Sequence, residues 1–168
     1  MEEIDINLKN KHALDIGSST GGFTQILLNN EIKDVTCVDV GSNQLHGSLR
    51  NNPKIIFYEN CDIRDFSQKN KFEIVTCDVS FISIHNILVS INCLSKDVII
   101  ILFKPQFEVG INVKRDKKGV VLDSLAINKA RDKFIEKTTN LNWKLQYSSM
   151  SKLQGKDGNN EELFYFKK

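Results

Sequence analysis

A chain of 168 residues, 40% of them apolar, is long enough for one globular domain built on one core. A formal net charge of +2 neither demands nor excludes a nucleic-acid partner, so any such contact must come from local clusters of charge. The N-terminus, MEEIDINLKN, lacks the basic and apolar regions of a secretory signal, and DVIIILF (Asp97 to Phe103) is too short to span a bilayer, so a soluble cytoplasmic protein without membrane contact is expected.

In chain order, short β-branched runs at Ala13 to Ile16, Val35 to Val40, Ile55 to Tyr58, Phe72 to Cys77 and Val98 to Phe103 read as buried parallel strands. Helical spacing separates them: Phe23, Ile26 and Leu27 form one stripe, and Ile84, Ile87, Leu88 and Ile91 form another. The segment DSLAINKARDKFIEKTTN sets Ile127, Ala130 and Phe134 on one face of a longer helix, with Asp123 or Ser124 as its cap. Trp143 to Tyr147 and Leu163 to Phe166 read as two final strands around the turn-rich QGKDGNN. The expected fold is α/β: a Rossmann-like, mostly parallel sandwich with one antiparallel strand near the C-terminus. Cys37, Cys61, Cys77 and Cys93 show no C-x-x-C pair and no zinc-ligand spacing with the histidines, so reduced, buried cysteines and no metal are expected.

The stretch LDIGSSTGGF is then the first strand, its turn and the start of the first helix, where bare backbone lets a ligand come close. Gly17, Gly21 and Gly22 fit neither the dinucleotide nor the nucleoside triphosphate pattern. Asp39 ends the second strand, where this kind of fold holds a ribose diol, and Asp62 follows the third, where it could accept from an adenine amine. Several carboxylates around one pocket suit a cationic sulfonium better than a pyrophosphate, which points to S-adenosylmethionine. The expected cofactor set is Asp15, Gly17, Ser18, Ser19, Thr20, Gly21, Gly22, Phe23, Asp39, Val40, Asp62, Ile63 and Asp78. Helix capping for Asp15 and strand termination for Asp39 are the plainer readings of either residue alone.

The strings LDIGSSTGGFTQILL, VDVGSNQLHGSLR, CDVSFISI, LFKPQFEVG and GNNEELF resemble the TlyA, or hemolysin A, family of rRNA 2′-O-methyltransferases, from about Lys11 onward. DVGSNQLH and KPQFEVG are specific to that family. The resemblance implies a single FtsJ-like methyltransferase domain over residues 1–168, S-adenosylmethionine as donor, and a cytidine 2′-hydroxyl of ribosomal RNA or of a ribosomal subunit as acceptor. Nothing in the sequence resembles a pore or a membrane-inserting helix, so the hemolysin label is discounted.

The family also resembles the wider ribose 2′-O-methyltransferases with a Lys-Asp-Lys-Glu set. By motif, Asp78 in CDVSF matches the aspartate, Lys104 in FKPQFE the second lysine, and Glu161 in GNNEE the glutamate, with Glu162 one residue off register. A ribose hydroxyl is a poor nucleophile whose proton must be removed or steered. Desolvation of a strand-end lysine favours the neutral amine, whereas neighbouring carboxylates favour the ammonium, so Lys104 as base and Lys104 as electrostatic guide both stand. In the family the first lysine lies upstream of the first strand, in an SR-x-x-x-KL-like segment after an S4-type RNA-binding domain. Lys9 and Lys11 match no such motif, so no fourth residue is carried over and the S4 domain is expected to be absent.

The cluster Lys114, Arg115, Lys117 and Lys118 is expected either to hold RNA phosphates or to be a solvated loop. Phe81 and Phe107 are candidates to stack on a splayed base, although core packing is favoured for Phe81, and His46 is expected to be structural. Two other functions compete: a cofactor-binding, rRNA-associating domain that is inactive without the missing N-terminal segment, and a nicotinamide-dependent oxidoreductase, which the glycine spacing disfavours.

Overall fold

The computed structural model describes residues 6–152, 155 and 158–168. Its strands are β1 (His12–Ile16), β2 (Asp34–Val38), β3 (Ile55–Tyr58), β4 (Phe72–Cys77), β5 (Ser95–Phe103), β6 (Lys144–Met150) and β7 (Glu162–Lys167). They form one sheet in the order β3-β2-β1-β4-β5-β7-β6. The pairs among β1 to β5 are parallel, and β7 runs antiparallel to both β5 and β6, giving the expected single reversed strand. The winding direction switches between β1 and β4, and at such a switch the carboxyl ends of the strands part and leave a crevice.

Helices α1 (Gly22–Asn29), α2 (Gly47–Arg50), α3 (Leu88–Leu94), α4 (Pro105–Glu108) and α5 (Ser124–Asn140) complete the chain. One face of the sheet packs on α3 and α5 through Ile91, Leu94, Ala130 and Phe134, and the other on α1 and α2 through Leu27 and Leu49. Burial on both faces is why β1, β4 and β5 read as nearly continuous apolar runs. Asp123 caps α5 by accepting the Ala126 N–H at 2.9 Å. Inside that layer the Phe134 ring lies 5.1–5.8 Å from the rings of Phe103, Phe164 and Phe166. Trp143 is buried just before β6 and donates from Nε1 to Asn92 Oδ1 at 2.9 Å.

Several expectations change in three dimensions. The run at residues 55–58 is an edge strand, so only Ile55 is buried and Ile56, Phe57 and Tyr58 are exposed. Ile26 faces outward, and α1 buries Thr24 and Leu27 instead. The stripe Ile84, Ile87, Leu88 and Ile91 is buried throughout, but as a 3₁₀ turn (Ile84–Asn86) followed by α3, with the break at Ile87. Cys37 and Cys77 are buried as expected, whereas Cys61 is only partly buried and Cys93 is exposed. Of the QGKDGNN turn, Gln154, Lys156 and Asp157 lie outside the described residues. Among the described residues no helix is long and apolar enough to cross a membrane.

Phe134 is fully buried at the centre of the aromatic layer, and its truncation leaves a cavity that rigid rings cannot close. Phe134→Ala is expected to cost about 3–5 kcal/mol in urea unfolding, against under about 0.5 kcal/mol for Leu125→Ala on the exposed side of the same helix.

Candidate active site

The crevice lies over the carboxyl ends of β1, β2 and β4, and backbone hydrogen bonds lace its rim together. Gly17 N–H donates to the Val38 carbonyl at 2.9 Å, Asp78 N–H to the Ile16 carbonyl at 2.9 Å, and Cys61 N–H to the Asp39 carbonyl at 3.0 Å. At Gly17, with φ at 72°, an added Cβ would stand 2.6 Å from the Asp78 carbonyl oxygen, so the turn after β1 and the turn after β4 approach only because this residue is glycine. Gly21 is the left-handed N-cap of α1, and a Cβ there would meet the Leu49 side chain at 2.2 Å. His46 serves structurally: it caps α2, and its N–H donates to the Thr20 carbonyl at 3.2 Å.

The resulting cleft has a volume of about 240 Å³. Of the expected cofactor set, Gly17, Ser19, Asp39, Val40, Asp62, Ile63 and Asp78 line it. Asp15, Ser18, Thr20, Gly21, Gly22 and Phe23 do not. Ser18 is buried beneath the turn, Thr20 and Gly22 face outward, Gly21 is pressed on Leu49, and Phe23 packs toward Leu27 and Ile32. Asp15 is only 1% exposed and both its oxygens are taken, Oδ2 by the Thr24 hydroxyl at 2.6 Å and Oδ1 by the Thr76 hydroxyl at 2.8 Å. It ties α1 and β4 to β1, so its role is to brace the crevice from below.

Each acid on the wall is held by hydrogen-bond donors or by a cation. Asp39 accepts the Ser19 N–H at 2.8 Å and the Gly41 N–H at 2.7 Å, which clamps the glycine turn to the loop after β2. Asp62 accepts the Arg64 backbone N–H at 2.9 Å and, through both oxygens, the Arg64 guanidinium at 2.9 and 2.6 Å, which hold its carboxyl below the usual range. Asp78 meets Lys104 Nζ at 2.5 Å, and the same ammonium donates to Ser80 Oγ at 3.0 Å. Among the described residues Asp78 Oδ1 has no aligned hydrogen-bond donor, so this contact is an ion pair.

Topology explains why Asp78, Lys104 and Glu161 share one edge. Asp78 follows β4, Lys104 follows β5, and Glu161 precedes β7, which starts with Glu162 opposite Phe103. Geometry also separates the two glutamates. Glu162 is committed to the Arg131 guanidinium at 2.7 and 2.8 Å, whereas Glu161 faces the other way and accepts Gln106 Nε2 at 3.1 Å.

Several site residues have no sequence signature of their own. Glu108 accepts the Ser83 hydroxyl and the Ile84 N–H, both at 2.7 Å, which joins the loop after β4 to the helix after Lys104. Gln44, Cys61, Ser80 and Ile82 line the cleft. Phe81, expected in the core, is 92% exposed at φ 67°, with its ring 5.4 Å from that of Phe107. Ile82 and Ile84 take the inward positions of that segment. Of the basic cluster, Lys114, Lys117 and Lys118 are exposed, but Arg115 turns inward and donates to the carbonyls of Gln106 at 3.0 Å and Gly119 at 3.4 Å.

Burial pushes the Asp15 carboxyl up from 3.8 to about 6, against the Thr24 and Thr76 hydroxyls that favour the carboxylate. Between those values the folded chain holds a proton that the unfolded chain has lost, so stability falls as pH rises through this window, and the cost is complete above about pH 6. The stability of the wild type relative to Asp15→Asn is expected to drop by roughly 2 kcal/mol from pH 4 to pH 7 in urea titrations, and a flat difference would contradict the buried carboxylate.

The family described as FtsJ-like methyltransferase matches residues 1–168. The chain is 55% identical over 166 residues to the 23S rRNA (cytidine-2′-O)-methyltransferase TlyA of Campylobacter jejuni, covering 99% of this chain and 66% of that protein. It is 33% identical over 172 residues to the 16S/23S rRNA (cytidine-2′-O)-methyltransferase TlyA of Mycobacterium tuberculosis, covering 99% and 64%. It therefore spans about two thirds of the length of these curated relatives. A crystal structure from Lactococcus lactis described as a hemolysin superposes with a TM-score of 0.91 at 31% identity, over 99% of this chain and 82% of that one. An S-adenosylmethionine dependent methyltransferase from Mesorhizobium loti shares the fold alone, with a TM-score of 0.71 at 8% identity over 99% and 95% of the two chains. With the glycine turn, the acid-lined cleft and the edge carrying Asp78, Lys104 and Glu161 all inside the matched span, the chain belongs to the FtsJ-like methyltransferase family.

Proposed function

We propose that this chain transfers a methyl group from S-adenosylmethionine to the 2′-hydroxyl of a ribose, that of a cytidine in ribosomal RNA. The observation that carries this reading is the Lys104 ammonium, held by Asp78 and Ser80 at the edge of an acid-lined cleft. The residues present fit the methyl donor. Asp39 keeps lone pairs for a ribose diol beyond the two backbone donors it already accepts. Ile63, Val79 and Ile82 offer apolar surface to an adenine, and Asp39, Asp62 and Asp78 place negative charge around a ligand that carries a sulfonium cation. The Campylobacter jejuni relative, named for cytidine 2′-O-methylation of 23S rRNA, supports the acceptor.

S-adenosylmethionine, which Asp39, Asp62 and Ile63 would hold, would supply an electrophilic methyl carbon, its sulfur keeping the electron pair of the C–S bond as the ribose oxygen takes the methyl group. The ribose oxygen becomes strongly acidic only as that C–O bond forms, so positioning matters more than a strong base. Asp78 and Ser80 aim the Lys104 ammonium, which fixes the orientation of the hydroxyl. Asp78, in contact with Lys104 Nζ, offers a carboxylate oxygen to take up the departing proton. The exposed Phe81 ring, braced against Phe107, offers a face on which the acceptor base can stack. Lys114, Lys117 and Lys118 supply phosphate contacts.

Calorimetric titration with S-adenosylmethionine is expected to show binding by the wild type and by Lys104→Ala, and at least a tenfold loss for Asp39→Ala. With ribosomal subunits and radiolabelled donor, Lys104→Ala is expected to lower methyl transfer by about 10²–10⁴-fold. Full transfer by Lys104→Ala, or label found on a base instead of a 2′-oxygen, would refute this mechanism.

A further inference from the structure

The basic hairpin and the glutamate before β7 belong to one closed ring of contacts. Arg115 and Val121 face each other across the hairpin as an antiparallel bridge. On one leg Arg115 Nη2 donates to the Gln106 carbonyl at 3.0 Å, and Gln106 Nε2 donates to Glu161 Oε1 at 3.1 Å. On the other leg Val121 N–H donates at 3.1 Å to Oδ1 of Asn159, which is itself buried two residues before Glu161. Both legs therefore end on the same short segment. The tip is closed separately, by Asp116 Oδ1 accepting the Lys118 N–H at 2.8 Å and the Val120 N–H at 2.9 Å.

Two features make this more than packing. Among the described residues Gln106 Oε1 is buried with no hydrogen-bond partner, and the Glu161 contact fixes that amide. Arg115 spends its fork on two carbonyls, those of Gln106 and Gly119, a task that suits a planar guanidinium and that an ammonium meets only in part. Its charge is therefore directed into the protein, whereas Lys114, Lys117 and Lys118 are exposed.

We propose that Arg115 and Gln106 are positioning residues through which the basic hairpin sets the placement of Glu161. The inference rests on the methyl-transfer reading and adds that RNA-backbone capture and the geometry of Glu161 belong to one rigid unit. Register supports it: β7 pairs Glu162 with Phe103, so Glu161 and Lys104 are the next residues beyond the ladder. A shift of the hairpin is thereby passed to the edge where Lys104 stands.

The test compares methyl transfer and RNA binding by the full chain with those of Gln106→Ala, Arg115→Ala, Arg115→Lys and the Lys117→Ala/Lys118→Ala pair. Gln106→Ala and Arg115→Ala are expected to lower kcat about tenfold while RNA affinity and its salt slope stay unchanged, and Arg115→Lys should recover part of the loss. The lysine pair should instead weaken RNA binding and flatten the salt slope by about one to two. Gln106→Glu, nearly isosteric, sets a second carboxylate against Glu161 and should move the acid limb of the kcat profile upward. An Arg115→Ala variant with a flattened salt slope and intact kcat would make Arg115 a phosphate contact and overturn the proposal, as would an unmoved pH profile for Gln106→Glu. A wild type that transfers no methyl group counts against the methyl-transfer reading alone. The ring is then judged by amide exchange, where Arg115→Ala must speed exchange at Asp116 and Leu122, whose N–H groups donate across the hairpin to Val120 and Lys114, and unchanged exchange overturns it.

Discussion

The antiparallel insertion of β7 beside β5 places Glu162 opposite Phe103, and the arrangement of the edge that carries Asp78, Lys104 and Glu161 depends on that register. A parallel strand at this position would begin at the far end of the sheet and carry its leading glutamate away from the crevice. Because β7 runs the other way, its first residues pair with the last residues of β5, at the end of the sheet where β4 also finishes, and three separate loops deliver Asp78, Lys104 and Glu161 to one edge. A slip of one residue would exchange the roles of Glu161 and Glu162. The slip is opposed because Phe164 and Phe166 would leave the aromatic layer around Phe134 and turn to the other face. The packing of rings deep in one layer thus selects which glutamate meets Gln106 and which meets Arg131.

A second constraint works beneath the first. A carboxylate buried as deeply as Asp15 is costly, and the two threonine hydroxyls that receive it offset part of that cost. In exchange the first strand, the first helix and the fourth strand are joined at the level where the chain turns through Gly17. Above that level Gly17 comes within a Cβ's width of the Asp78 carbonyl. The two loops that form opposite sides of the crevice therefore move as one, and Asp78 is aimed at Lys104 by rigid neighbours instead of by a flexible loop.

Much of this was legible in the sequence because the strongest signals are local. Apolar β-branched runs mark buried strands, and carboxylates just after them mark the crevice, so Asp39, Asp62 and Asp78 fall on its wall as strand-end logic requires. Asp15 lies within β1, one residue before its end, and is off the wall, because the direction of a side chain at a strand end depends on which face the pleat presents. Phe81 sits in an apolar string and its type argues for the core, but a left-handed backbone at that residue turns the ring out, and no composition reveals that angle. Arg115 lies in a run of cations and looks like its neighbours, yet the carbonyls of Gln106 and Gly119 decide its direction, and one of them comes from a different element. Ile56 to Tyr58 read as buried because strand propensity carries no information about whether a strand lies at the edge.

The charge pattern of the cleft follows from how its acids are held. Asp39 is satisfied by neutral backbone donors, Asp62 by an arginine fork and Asp78 by a lysine that stands at the edge. The first arrangement leaves a full negative charge on the wall, the second cancels most of it, and the third cancels it with a cation that can also face an incoming hydroxyl. Along the cleft the negative potential is therefore strongest near Asp39 and the glycine turn and is balanced where Lys104 stands. Cations are nonetheless set among these acids, Arg64 on Asp62 and Lys104 on Asp78, and Asp39 is the acid of the wall held by backbone N–H groups beside the glycine turn.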